Sequence, residues 1–124
     1  MMKEFENFLD EVGKCFVDNN KGSDVRSDVI EYKDRYVVLS DLPGVAKDRV
    51  SLSFDKGVLT ISIKEAEHDE ATYKIKERTR NYNDKKLYFS ENVDADNISA
   101  QFENGVLKVT LLKQEKKTKT IKID

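Results

Sequence analysis

The strongest constraint on the fold of this chain is an internal repeat. Val50-Ser51-Leu52-Ser53-Phe54-Asp55-Lys56-Gly57-Val58-Leu59 returns at an offset of 48 residues as Ile98-Ser99-Ala100-Gln101-Phe102-Glu103-Asn104-Gly105-Val106-Leu107. In each copy apolar side chains alternate with polar ones, stop at a Lys-Gly or Asn-Gly pair, and resume. Alternation places the apolar groups on one face of an extended segment. A two-residue turn with a glycine suits the right-handed twist of the strands it joins. Each copy therefore reads as a β-hairpin with one apolar face. Two copies are too few for a solenoid, and a lone hairpin is marginal in water. The two apolar faces need cover, and an antiparallel β-sandwich provides it.

The neighbouring sequence supplies the remaining strands. Ile30 and Tyr32, Tyr36 to Leu39, Leu59 to Ile63, and Leu87 to Phe89 are short apolar runs bounded by turn residues, bringing the expected total to about seven or eight strands. The one proline, Pro43, precedes Gly44, the chemistry of a type II turn. Tyr73, Ile75 and Glu77 alternate with Lys74, Lys76 and Arg78, so a further strand with one charged face is expected there. Lys64 to Thr72 reads as a charged loop and Asn92 to Asn97 as a turn.

Two segments stand apart from this domain, expected over residues 26 to 112. In the first 25 residues, Phe5, Phe8, Leu9, Val12 and Phe16 form one stripe of an amphipathic helix, cut off by the polar joint Asn19 to Asp24. It either packs on the sandwich or serves contacts between molecules. Residues 113 to 124 begin with a polar tether and end in Ile121-Lys122-Ile123-Asp124. The two isoleucines project the same way from an extended chain and have nothing local to bury against. Docking by β-augmentation suits them, and burying both is worth at most about 3–6 kcal/mol before ordering costs.

The chemical inventory points away from catalysis. One cysteine, Cys15, and one histidine, His68, exclude an internal disulfide and any multi-Cys or multi-His metal site. The five glycines form no phosphate-binding pattern, so no nucleotide or other cofactor is expected. No apolar run approaches the length of a membrane span, and the acidic start is unlike a secretory signal, so a soluble cytoplasmic protein is expected. Net charge is −2, divided as −6 over residues 1 to 72 and +4 over residues 73 to 124. The basic stretch Tyr73 to Tyr88 superficially suits single-stranded nucleic acid. Its basic side chains at 74, 76, 78 and 80 share one strand face while Tyr73 lies on the other, which argues against that use.

Asp41-Leu42-Pro43-Gly44-Val45, Gly57-Val58-Leu59-Thr60-Ile61, Ala100 followed by Asn104-Gly105-Val106-Leu107, and the terminal Ile121-Lys122-Ile123 together resemble the small heat-shock proteins and their α-crystallin domain over about residues 26 to 124. The resemblance implies an all-β, immunoglobulin-like antiparallel β-sandwich. It implies an ATP-independent chaperone, a holdase, that binds partly unfolded client proteins and limits their aggregation. It further implies a homodimer formed by strand exchange through about Tyr73 to Arg80, with Tyr73, Ile75, Glu77, Arg78 and Lys85 at the interface. Higher homo-oligomers would follow by docking Ile121 and Ile123 into a neighbour's groove between Val50, Leu52 and Phe54 on one strand and Ile98, Ala100 and Phe102 on another. Phe5, Phe8, Leu9, Val12 and Phe16 would serve assembly or client contact. Neither nucleic acid nor membrane is among the partners implied. Ser90 and Leu112 replace usual family prolines, and Lys85 replaces an arginine, which is not its equivalent in ion pairs. The alternative is a co-chaperone-like β-sandwich that recruits one folded partner without holding clients.

Overall fold

The computed structural model describes residues 22–66, 70–89, 93–115 and 120–124. The expected arm helix, Cys15 and His68 lie outside these residues. Among the described residues seven strands form: β1 (Arg26–Glu31), β2 (Arg35–Asp41), β3 (Val50–Asp55), β4 (Val58–Ile63), β5 (Lys85–Tyr88), β6 (Val93–Glu103) and β7 (Val106–Lys113). They pair antiparallel into a four-stranded sheet, β1-β2-β7-β6, and a three-stranded sheet, β3-β4-β5. The fold is the expected all-β sandwich.

The repeat accounts for one hairpin in each sheet. β3 and β4 pair through Asp55 opposite Val58, and β6 and β7 through Glu103 opposite Val106, so each turn has two central residues. Those residues take positive φ: 50° and 80° at Lys56 and Gly57, 53° and 75° at Asn104 and Gly105. This is the type I′ geometry that fits the strand twist. Gly57 is needed for space as well as for φ. A Cβ there would lie 3.0 Å from the Phe89 carbonyl oxygen, where the chain closes back on β5 with Phe89 N–H donating to the Gly57 oxygen at 2.8 Å. Gly44, at φ 74°, completes the turn after Pro43, with Val45 N–H donating to the Leu42 oxygen at 3.2 Å.

Register carries the apolar residues inward. In the four-stranded sheet Tyr36 pairs with Leu111, Val38 with Val109, and Ser40 with Leu107. In the other sheet Leu59 lies between Phe54 and Leu87, and Ile61 between Leu52 and Lys85. These rows meet in one core that also takes Val25, Leu42, Val45 and Phe89. The Phe89 ring stands 4.9 Å from that of Tyr36, tilted by 59°, a favourable aromatic arrangement. Ser40 is fully buried and satisfied by the Ser27 hydroxyl across the strand pair at 2.7 Å. At the far end of β1 and β7, Lys113 Nζ lies 3.1 Å from Glu31 Oε2 and 4.8 Å from the centre of the Tyr36 ring. Hydrogen bonding from the Tyr36 hydroxyl, and then from Lys113, holds the Glu31 carboxyl below its ordinary pKa.

Two local expectations are corrected. Residues 73–80 form no strand in the single chain, because none of the described strands pairs with them and a strand exists only through its ladder. Of the turn expected at 92–97, residues 93–97 are instead a bulged part of β6. Between the pairs Val93–Lys113 and Ile98–Leu111, β6 advances five residues while β7 advances two. The excess is odd, so it resets the alternation and lets both Val93 and Ile98 pack against the core. Inside the bulge Asp94 accepts from the Asp96 backbone N–H at 3.1 Å and from Asn97 Nδ2 at 2.6 Å.

Replacing Gly57 with Ala forces a β-carbon into positive φ and against a backbone oxygen, so thermal denaturation should show a loss of about 1–2 kcal/mol or more. A midpoint unchanged from the parent would contradict this. Glu31, with its lowered pKa, contributes stability above its ordinary titration range, and that contribution is lost as pH falls through the folded value. Both partners are partly exposed, so the effect is about 1 kcal/mol or less. Glu31→Gln should lower the melting temperature at pH 7, and the difference from the parent should shrink steadily as the pH is lowered.

Candidate functional site

A sandwich covers sheet faces and leaves sheet edges. β3 is an outer strand of the three-stranded sheet and β6 an outer strand of the four-stranded sheet. On β3 the half-buried Val50, Leu52 and Phe54 alternate with exposed Ser51, Ser53 and Asp55. On β6 Ile98 and Phe102 are half-buried and Ala100 is exposed. Val50, Leu52, Phe54, Ile98 and Phe102 all pack against the single core from its margin. Phe54 stands 6.5 Å from Phe89, which anchors this margin to the Tyr36 ring beyond. Each outer strand thus presents partly uncovered apolar side chains together with an outward row of backbone donors and acceptors. That combination is what an added strand requires: the backbone supplies hydrogen bonds and the side-chain pockets supply selectivity.

Ile121 and Ile123 lie in solvent, 80% and 93% exposed, and are not brought to either strand of their own chain. Tyr73 and Ile75 are likewise 63% and 75% exposed, with Lys76 Nζ 5.1 Å above the Tyr73 ring. Glu77 and Arg78 are exposed beside them. Lys85 is separated from this group: it is buried on β5, opposite Ile61. Phe5, Phe8, Leu9, Val12 and Phe16 fall outside the described residues.

The structure adds contacts that sequence pattern did not reveal. Asp24 and Asn81 bond in both directions, backbone N–H of Asp24 to the Asn81 oxygen at 2.6 Å and backbone N–H of Asn81 to Asp24 Oδ2 at 2.6 Å. Ser23 Oγ donates to the Asn83 oxygen at 2.9 Å. These partners are 57 and 60 residues apart and belong to no periodic pattern, so no local signal marks them. Among the described residues no group of three or more His, Cys, Asp or Glu side chains could hold a metal ion. No described helix is long and apolar enough to cross a membrane.

Comparison with known proteins adds a family to this geometry. The model of the Hsp20/alpha crystallin family matches residues 28–124. The 18 kDa heat shock protein of Clostridium acetobutylicum is 32% identical over 96 residues, covering 74% of this chain and 64% of its own length. Heat shock protein HSP.16.4 of Streptococcus thermophilus is 33% identical over 94 residues, covering 73% and 66%. The match thus spans a little under two thirds of these relatives. Among solved structures, heat shock protein 16.0 of Schizosaccharomyces pombe superposes with a TM-score of 0.73 at 32% identity, covering 98% of this chain and 93% of that one. A small heat-shock protein of Xylella fastidiosa superposes at 0.67 with 26% identity, covering 83% and 98%. With the family match extending from β1 to the last residue, and the same sandwich found in these relatives, the chain belongs to the Hsp20/alpha crystallin family of small heat shock proteins.

Proposed function

We propose that the chain is an ATP-independent holdase of the cytoplasmic stress response, which binds partly unfolded proteins and limits their aggregation through reversible homo-oligomers. The observation that carries this reading is an unmatched pair within one chain. The outer strands β3 and β6 carry half-buried apolar residues at their open edges, while Ile121 and Ile123 stand free in solvent. An open apolar edge and an exposed apolar segment, left apart on the same chain, are suited to meeting on different copies. A contact built from two isoleucines is weak singly and effective when repeated around an assembly. The same edges serve strand-like apolar segments of an unfolding client when tails release them. The Xylella fastidiosa relative has a distinct high order structure, and assembly of that protein is consistent with this reading.

The dimeric unit follows from a second unmatched pair. Among the described residues the segment Tyr73 to Arg80 has alternating character and no ladder partner, and β1 is an outer strand with one unpaired edge. Exchange of the segment onto β1 of a second copy gives each its partner. Tyr73, Ile75, Glu77 and Arg78 then contribute to the interface, with Lys85 at the base of the loop. The arm residues Phe5, Phe8, Leu9, Val12 and Phe16 add apolar surface for assembly or clients.

Equimolar protein without ATP should suppress light scattering from a heat-aggregating client; full scattering in its presence would refute the holdase reading. Replacing Ile121 and Ile123 together by Ala should shift mass in multi-angle light scattering toward dimers. A mass equal to the parent's would exclude tail docking.

A further inference from the structure

We propose that Asp24 is a positioning residue that couples the exit of the amino-terminal arm to the root of the loop before β5, so that one junction governs release of the exchanged segment. The inference rests on the dimer reading above. Its basis is where the loop is held. Residues 70–81 are exposed throughout and form no strand. At its carboxy-terminal root the chain is clasped to residues 23 and 24 by the reciprocal Asp24–Asn81 pair, both bonds 2.6 Å, and by Ser23 Oγ to the Asn83 oxygen at 2.9 Å. The half-buried Tyr82, between these two anchor points, packs against the core.

The clasp has an arm side as well. Val25, next to Asp24, is buried and fixes the chain to the core. Gly22, two residues before Asp24, takes φ 88°, and a Cβ there would lie 3.5 Å from Asn81 Nδ2 and 3.8 Å from Asn83 Nδ2. At Gly22 the chain therefore runs beside the side chains of the same asparagines that hold the loop. A displacement of the chain at Gly22 is carried into Ser23 and Asp24, and through their hydrogen bonds into residues 81 to 83. The Asp24 carboxylate makes a short charge-assisted bond, but an exposed one, so it opens at far less cost than the core. That balance suits a catch that holds the loop near the body and releases it without unfolding the sandwich.

The test uses the full chain and three variants: Asp24→Ala, Asp24→Asn and Gly22→Ala. Two rates are read, hydrogen exchange at the Asn81 amide and subunit exchange between isotopically light and heavy protein followed by native mass spectrometry. Asp24→Ala should accelerate both by roughly three- to tenfold, as expected for loss of one exposed charge-assisted hydrogen bond. Asp24→Asn keeps an acceptor oxygen and should restore both to within about twofold of the parent. Gly22→Ala, which strains the arm side alone, should accelerate the Asn81 amide as well. An unchanged Asn81 amide in Asp24→Ala or in Gly22→Ala overturns the coupling, as does a faster amide with unchanged subunit exchange in a dimeric parent. If the parent is monomeric, strand exchange itself fails and the Asn81 amide rates alone decide the coupling. If Asp24→Ala does not fold, Ser23→Ala replaces it, with a smaller acceleration expected and none overturning the proposal.

Discussion

A two-layer sandwich can bury the faces of its sheets but not their edges, and the rest of this structure follows from that constraint. The inward rows around Tyr36, Val38, Leu59, Ile61, Val109 and Leu111 close the core completely. Among the described residues, β1 and β6 at one sheet's margins, and β3 and β5 at the other's, have a neighbouring strand on one side only. Unpaired strand edges attract further strands. The alternating stretch after residue 72 and the terminal isoleucines pair with no described strand. Open edges and unpaired segments thus occur together among the described residues.

What could be read in advance depended on whether a feature was local. The hairpins were legible because Lys56-Gly57 and Asn104-Gly105 encode a backbone shape that few other residues adopt, and alternation on either side encodes a face. The Pro43-Gly44 turn was legible for the same reason. The β6 bulge was not. Val93 and Ile98 are an odd number of residues apart yet both pack inward, so strict alternation fails between them, and Asp94, Asp96 and Asn97 look like turn residues. The segment 73–80 has strand character without a strand, since alternation reports a face and pairing requires a partner. Of the candidate site, the apolar residues on β3 and β6 and the two isoleucines were visible as pattern. The clasp at Asp24 was not, because it joins residues far apart in sequence and sets the Asp24 and Ser23 side-chain oxygens against backbone groups that every residue possesses.

Charge plays a supporting part. With 37% of residues charged and 38% apolar, the chain has little apolar material beyond its core. The structure places much of it on the inward rows. Some remains outside: Tyr73, Ile75, Ile121 and Ile123 are each surrounded in sequence by lysine, glutamate, threonine or aspartate. Such spacing keeps exposed apolar groups from merging into one large sticky patch. Lys85 is the exception in the other direction, a basic side chain drawn into the sandwich opposite Ile61.

The bulge in β6 bears on fibril growth. An outer strand of eleven residues with a regular edge would template the endless stacking of cross-β filaments, which demands flat, uninterrupted register. Here the register of the first half of the strand is broken by its surplus residues, and it carries Asp94 and Asp96, whose charges would sit above one another at every step of a stack. The regular stretch runs only from Ile98 to Glu103, enough for a short visiting strand. An edge interrupted and charged in this way is a poor template for stacking identical strands.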